Sequence, residues 1–260
     1  MNSLGEGNAF TIHLHFDREL CFFLSKRIAD GEVVRCLREK TSIKDVIESC
    51  GVPHTEVHAI VSRGATIDFA FQISADADVC VYGLAETQAR NFDSLQRCGA
   101  TRFVADGHLG KLARDLRLLG FDVAYAANTA DAELVRIATT QDRALLTRDR
   151  RLLMHRVLRD GYCLRSTDPD EQLFEVLHRF DIAKDVAPFA RCIRCNGELV
   201  HVTKGEVLHQ LEPLTKLYYE DFRRCTACGG VYWAGSHFSK LEARVAQVRA
   251  RQLPQIELEQ

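Results

Sequence analysis

Cys192-Ile193-Arg194-Cys195 and Cys225-Thr226-Ala227-Cys228 place four thiols in two C-x-x-C pairs, with 29 residues between them. Each C-x-x-C turn directs two thiolates at one point, and two such turns supply the tetrahedral sulfur set that Zn2+ prefers. Asn196-Gly197 and Gly229-Gly230 follow the second cysteine of each pair. Residues of these types accept the positive φ of a tight metal knuckle. The other common use of C-x-x-C, thiol–disulfide exchange, belongs to a strand-to-helix turn in a thioredoxin-like context, which neither pair has. Four thiolates fill the coordination sphere, so the expected ion is a structural zinc with no open position. His201 and His209, in the stretch between the pairs, are alternative ligands that four cysteines make unnecessary.

A second set of residues suits a harder ion. Asp106 directly follows the apolar run Phe103-Val104-Ala105. Asp149 follows Ala144-Leu145-Leu146-Thr147, with Arg148 between, and Asp131 opens a helical stretch after residues 121–126. Mg2+ or Mn2+ takes oxygen ligands, usually one or two carboxylates plus water. An ion held by such acids activates water and offsets charge that builds on a phosphate. Asp131 and Asp149 have an alternative use as helix caps. Glu133 is a weaker candidate for the same cluster, Asp142 lies at the wrong end of its strand, and Asp168 before Pro169 reads as a helix start. Lys111, Arg114, Arg148, Arg150 and Arg151 flank the acids and suit phosphate contacts, or else are solvated faces, with Arg148 paired to a nearby carboxylate. Tyr232, Trp233 and His237 either stack on bases or, the reading favoured here, form the small core of the cysteine-rich segment. His108 either assists phosphate chemistry or simply begins a helix.

These residues need elements to position them. From about residue 91 to 180 the pattern alternates between short apolar runs and amphipathic stretches. Strands are expected over 102–105, 121–126, 144–147 and 162–165, and helices over 108–119, 131–140, 149–159 and 169–180. Such alternation implies a parallel sheet covered by helices, with functional groups at the carboxyl ends of its strands. Within the first helix Leu109, Leu112, Ala113, Leu116 and Leu119 form one stripe, Lys111, Arg114 and Arg117 lie off it, and Gly120 suits its C-terminus. Ahead of this region, Phe10–Phe16 alternates apolar and polar residues as a half-buried strand does. Thr41 or Ser42 can cap a helix carrying Ile43, Val46 and Ile47, which Gly51 ends, and short strands are expected at 57–61 and 79–82. A charged helix is expected over 239–252, ended by Pro254.

Composition narrows the class. No apolar run approaches the roughly 20 residues of a membrane helix. The first ten residues lack the basic start and apolar core of a secretory signal. The remaining cysteines, Cys21, Cys36, Cys50, Cys80, Cys98 and Cys163, are read as reduced and mostly buried, which points to a cytoplasmic protein. Residues 1–89 carry 8 basic and 13 acidic side chains, residues 90–165 carry 14 and 9, and the rest 12 and 14. A polyanion partner therefore belongs to the middle segment, despite the overall charge of -2.

Phe103-Val104-Ala105-Asp106-Gly107-His108-Leu109-Gly110-Lys111-Leu112-Ala113-Arg114, followed by Leu118-Leu119-Gly120-Phe121-Asp122, resembles the start of the Mut-seven C-terminal RNase domains. Leu145-Leu146-Thr147-Arg148-Asp149-Arg150 resembles them too, and Arg191–Gly197 with Val231–His237 resembles that family's zinc ribbon. The resemblance implies a PIN-like α/β parallel-sheet domain with a C-terminal zinc ribbon and a metal-dependent ribonuclease activity. It makes Asp106, Asp131 and Asp149 the Mg2+- or Mn2+-binding acids, three where PIN nucleases usually show four, and RNA the partner. The order of elements before residue 83 resembles an α+β ubiquitin-like β-grasp domain of the sulfur-carrier type, a surface for a protein partner. Gly83 is followed by Leu84 rather than a free Gly-Gly end, so carrier activity is not expected. The expected organisation is a β-grasp domain over 8–85, a PIN-like domain over 98–183, and a ribbon with its helix over 188–252. The competing reading is a non-catalytic RNA-binding adaptor, and a small single-domain toxin is a poor fit to this architecture.

Overall fold

The structure, a computed structural model, describes residues 9–25, 28, 30–236 and 238–252. His237, read above as a ribbon aromatic, and Pro254, read as a helix stop, lie outside these residues. Alternation at Phe10–Phe16 produces strand β1, with Ile12 and Leu14 fully buried. Then come β2 (Glu32–Leu37), β3 (Thr41–Ser42), α1 (Ile43–Ser49), β4 (Ala59–Ser62), β5 (Ala65–Ile67), β6 (Gln72–Ile73), β7 (Ala77–Tyr82) and α2 (Leu84–Ala89). β1 pairs antiparallel with β2 and parallel with β7, and the sheet order is β2-β1-β7-β4-β5. Ser42 caps α1 by accepting the Asp45 N–H at 3.1 Å, and Ile43, Val46 and Ile47 are buried. Gly51, at φ +95°, ends the helical segment where a side chain would be strained. One helix beside a mixed sheet with parallel central strands is the β-grasp arrangement expected.

The alternating region forms β8 (Arg102–Ala105), α3 (Gly110–Leu118), β9 (Asp122–Tyr125), α4 (Asp131–Thr140), β10 (Ala144–Thr147), β11 (Gly161–Cys163) and α5 (Pro169–Phe180). β8–β9 and β10–β11 pair parallel, in a sheet of order β11-β10-β8-β9. The cysteine-rich segment forms β12 (Leu199–Val202), α6 (Lys204–Val207), α7 (Pro213–Tyr218), β13 (Phe222–Cys225), β14 (Val231–Tyr232) and α8 (Phe238–Gln252). β12, β13 and β14 make a three-stranded antiparallel ribbon. No helix among the described residues is long and apolar enough to cross a membrane.

By contacts the chain divides into two compact units, one reaching Cys98 and including Ala130–Arg165, the other comprising Gly99–Thr129 and the residues from Ser166 onward. The first is held by buried polar groups. Glu56, only 3% exposed, accepts the Cys163 N–H at 2.6 Å and pairs with Arg165 at 2.7 Å. Burial disfavours the Arg165 charge, but the Glu56 carboxylate outweighs it and holds that guanidinium above its ordinary pKa. The Gln96 amide donates to the carbonyls of His54 and Val57, and Arg97 pairs with Asp142 and Asp160. Residues 149–159 do not form the expected helix. Only Leu152–Met154 turns, as a 3-10 segment. Within that stretch Arg156 with Arg159 would put like charges at i,i+3. The Leu158 carbonyl instead accepts from the His54 ring at 2.9 Å.

In the second unit the stripe of α3 is buried together with Leu173, Val176, Leu177 and Phe180 of α5. The Phe103 ring meets Phe121 and Phe180 edge-on, at 6.3 and 5.2 Å. Asp168 caps α5, as its position before Pro169 implied. Arg117 corrects the sequence reading: it lies off the apolar stripe but is only 3% exposed, for a reason given below. The six cysteines outside the pairs are also less buried than expected. Cys163 is buried, Cys21, Cys50 and Cys80 are half-buried, and Cys36 and Cys98 are exposed. These positions lie on strand faces and loops, where burial follows location rather than residue type.

Removing the Glu56 carboxylate strands the Cys163 N–H and a largely buried guanidinium. Glu56→Ala is expected to lower the unfolding free energy by about 3 kcal/mol in urea titrations. Arg90→Ala, which breaks the exposed pair with Glu86, is expected to leave the unfolding curve in place. Equal effects of the two would contradict this assignment.

Candidate active site and metal centre

Asp106 is the first residue beyond the buried run Phe103–Ala105 of β8 and is half-buried itself. Its carbonyl accepts the Leu109 N–H at 2.9 Å, starting the 3-10 turn Gly107–Leu109 that leads into α3. Two glycines make the junction possible. A Cβ on Gly107 would run into the Ala127 carbonyl beyond β9, and one on Gly110 would stand 2.7 Å from the Tyr125 hydroxyl. That hydroxyl donates to the Gly107 carbonyl at 2.8 Å. The end of β9 thus lies directly on the turn that carries Asp106.

Asp149 follows β10, whose four residues are all buried. Its N–H donates to the Thr147 hydroxyl at 2.9 Å, and its carboxylate accepts the Arg151 N–H at 2.8 Å. A tight turn therefore presents Asp149 at the surface. Asp131 is exposed in the first turn of α4, where Ala130 holds the N-cap position. It favours the helix through the macrodipole, not as a cap. Glu133, in the same first turn, is engaged by two nitrogens of Arg136 at 2.6 Å, which holds its carboxyl below the ordinary range.

The basic candidates differ in their freedom. Lys111 pairs with Asp170 at 2.8 Å, and Arg150 donates to the Phe23 carbonyl at 2.9 Å. Arg114 and Arg148 are exposed, as are Arg151 and His108.

Among the described residues, the one group of three or more histidines, cysteines and acids with ligand atoms at metal-binding spacing is Cys192, Cys195, Cys225 and Cys228. Their sulfurs all lie within 4.8 Å of one another, with Cys192–Cys228 at 3.8 Å and Cys195–Cys225 at 3.4 Å. A tetrahedron with Zn–S bonds of about 2.3 Å has edges of about 3.8 Å, so the set fits a structural zinc. The backbone N–H groups of Cys195 and Cys228 each point at the first sulfur of their own pair at 3.5 Å. Asn196 and Gly229 take the expected left-handed conformation, at φ +72° and +71°. Gly197 is required because a Cβ there would sit 2.7 Å from the Cys225 sulfur. The Tyr232 hydroxyl lies 2.9 Å from the Cys192 sulfur. Burial works to raise the Cys192 thiol, but the Tyr232 hydroxyl and the neighbouring backbone N–H groups outweigh it and bring it down to about 6. His201 pairs with Asp221 and His209 contacts Gln210, so neither joins the sulfur set. The ribbon's small core is Val207, Leu211 and Phe222, not Tyr232 and Trp233 as expected. The stretch between the cysteine pairs supplies this core from α6, the turn after it and β13, and Trp233, partly exposed, meets it through the Phe222 ring at 6.4 Å.

The ribbon is fastened by two residues whose role the sequence did not disclose. Arg117 donates to the Val123 carbonyl of β9 at 2.7 and 3.0 Å, and to the Arg194 and Ile193 carbonyls of the first knuckle at 3.0 and 3.4 Å. Its burial holds it below the ordinary arginine pKa. The Asn196 side chain accepts the Val123 N–H at 2.9 Å and donates to Asp122 at 2.6 Å. Separately, Arg244 of α8 pairs with Asp115 and Asp170.

The purified chain is expected to hold about one zinc per molecule by elemental analysis, and Cys225→Ser is expected to lose it with a clear drop in melting temperature. Binding releases thiol protons, so zinc affinity should fall as pH is lowered. A full-length chain that keeps its zinc and melting point after Cys225→Ser would contradict the assignment.

A family model described as the Mut7-C RNAse domain matches residues 101–245, and one described as Mut7-C ubiquitin matches residues 9–89. No curated protein and no solved structure matches the chain. The RNAse-domain match spans more than half of the sequence and takes in the turn carrying Asp106, the loop carrying Asp149 and all four cysteines. The chain therefore belongs to the Mut7-C RNAse domain family, with a Mut7-C ubiquitin domain in front of it.

Proposed function

We propose that this protein is a metal-dependent ribonuclease, an endonuclease that hydrolyses RNA phosphodiesters with water as nucleophile. The membership in an RNAse-domain family carries the reading. The placement of Asp106 and Asp149, each just past a buried strand of the parallel sheet, supports it. Asp106, Asp131 and Asp149 are hard oxygen donors at or near the surface, of the type that binds Mg2+ or Mn2+, although their carboxylates do not form a three-ligand cluster in the structure. When bound, that ion supplies acidity to a water and positive charge against the phosphate. The chain's own share is positional. The Asp149 turn and the Gly107–Tyr125 contact hold two carboxylates on short, braced connections. Lys111, Arg114, Arg148 and Arg150 bind and orient the phosphate backbone. The zinc is structural, because four thiolates leave it no open position. The ubiquitin-like domain offers a surface for a protein partner. Exposed Cys36 and Cys98, beside a thiolate metal site, suit the reducing cytoplasm.

Labelled single-stranded and structured RNAs are expected to be cleaved in Mg2+ or Mn2+ and not without them. Asp106→Asn and Asp149→Asn are each expected to lower kcat by about 10²–10³-fold or more, with zinc content unchanged. RNA binding without cleavage by the wild-type protein would favour the adaptor reading instead.

A further inference from the structure

A groove of about 880 Å3 runs along α3 from Gly110 to the first zinc knuckle. Lys111 and Arg114 of α3, Tyr125 at the end of β9, and Ile193 and Arg194 of the knuckle line it. Its starting point, Gly110, lies four residues after Asp106, under the Tyr125 ring.

The charges in this groove are unevenly engaged. Asp115, the acid in its wall, is taken by Arg244 at 2.9 Å, and Lys111 is held by Asp170. Arg114 and Arg194 are exposed, and among the described residues their side chains make no ion pair or hydrogen bond. The knuckle side of the groove is also rigidly placed. The Arg194 carbonyl is bound by Arg117, and Arg194 stands between two cysteines of the metal set. The backbone from which its guanidinium extends is therefore fixed before any ligand arrives, while the side chain itself is free to meet one. Beside the cations, Tyr125 and Ile193 offer half-buried aromatic and aliphatic surface.

We propose that this groove is the track for single-stranded RNA entering the nuclease site, with Arg114 and Arg194 on successive phosphates and the Tyr125–Ile193 wall against a base. The zinc ribbon is thereby a substrate-binding element as well as a structural one. This inference rests on the nuclease reading for the identity of the polyanion. Unpartnered cations on α3 and on the knuckle, with an apolar patch beside them, match a strand whose backbone is anionic and whose bases are open to contact.

The test is fluorescence anisotropy of a short labelled oligouridylate with the full-length, zinc-loaded protein, in a salt series without added Mg2+ or Mn2+. Arg114→Ala and Arg194→Ala are each expected to weaken binding several-fold and to flatten the slope of log affinity against log salt by about 0.7. Lys184→Ala removes an equal charge from a different cleft and should change neither. Arg194→Lys should retain most of the salt slope, which separates loss of charge from damage to the knuckle, and zinc content reports that damage directly. Affinity and slope unchanged in Arg194→Ala, or lowered equally by Lys184→Ala, would overturn the proposal. The outcome is independent of catalysis. Arginine-dependent binding by a protein that cleaves nothing supports the groove and sinks the nuclease reading. Cleavage with arginine-independent affinity does the reverse.

Discussion

The second unit depends on a buried guanidinium. Arg117 leaves α3, meets the Val123 carbonyl of β9, and reaches the carbonyls of Ile193 and Arg194 in the first knuckle. A charged group this deep is tolerable only because each donor nitrogen finds a carbonyl. Asn196 completes the clamp by binding the Val123 N–H and the Asp122 carboxylate of the same strand. The four cysteines shape the knuckle, the knuckle holds β9, and the end of β9 bears through Tyr125 on the Gly107 turn. The four-cysteine site is in this way connected, contact by contact, to the residue that follows β8.

The first unit uses the same device with opposite sign. Glu56, a buried carboxylate from the 3-10 turn before β4, takes the Cys163 N–H of β11 and the Arg165 guanidinium beyond it. His54 takes the Leu158 carbonyl, and Gln96 returns to His54 and Val57. The β-grasp sheet is thus tied to the strand region by hydrogen-bonded polar groups, a more orientation-specific joint than apolar contact alone, although the buried Gln96 Oε1 has no partner among the described residues.

Much of this was legible in the sequence, and the division is physical. The two C-x-x-C pairs with their following Asn-Gly and Gly-Gly state a local geometry, and the structure reproduces it down to the positive φ of Asn196 and Gly229. The stripe of α3, the capped α1 and the wholly buried β10 are likewise local patterns. Arg117 and Glu56 were not legible, since the knuckle carbonyls that Arg117 binds lie 76 and 77 residues away and the partners of Glu56 lie 107 and 109 away, beyond the reach of any local pattern. Residues 149–159 misled because Leu153 with Val157 and Met154 with Leu158 are spaced four apart, as in a helix. The chain forms only the 3-10 turn Leu152–Met154 there, and the like charges of Arg156 and Arg159 disfavour a continuous helix. The carboxylates were legible by type and by position after strands, while the ion they are proposed to hold depends on distances that no spacing encodes.

The most direct measurement is therefore of the ion itself: Mn2+ binding to the zinc-loaded protein, followed by electron paramagnetic resonance, in wild type and in Asp106→Ala and Asp149→Ala variants. The account predicts a saturable Mn2+ site, distinct from the zinc, that both substitutions abolish while zinc remains bound. Mn2+ binding that survives both substitutions, or none in the wild type, would contradict it.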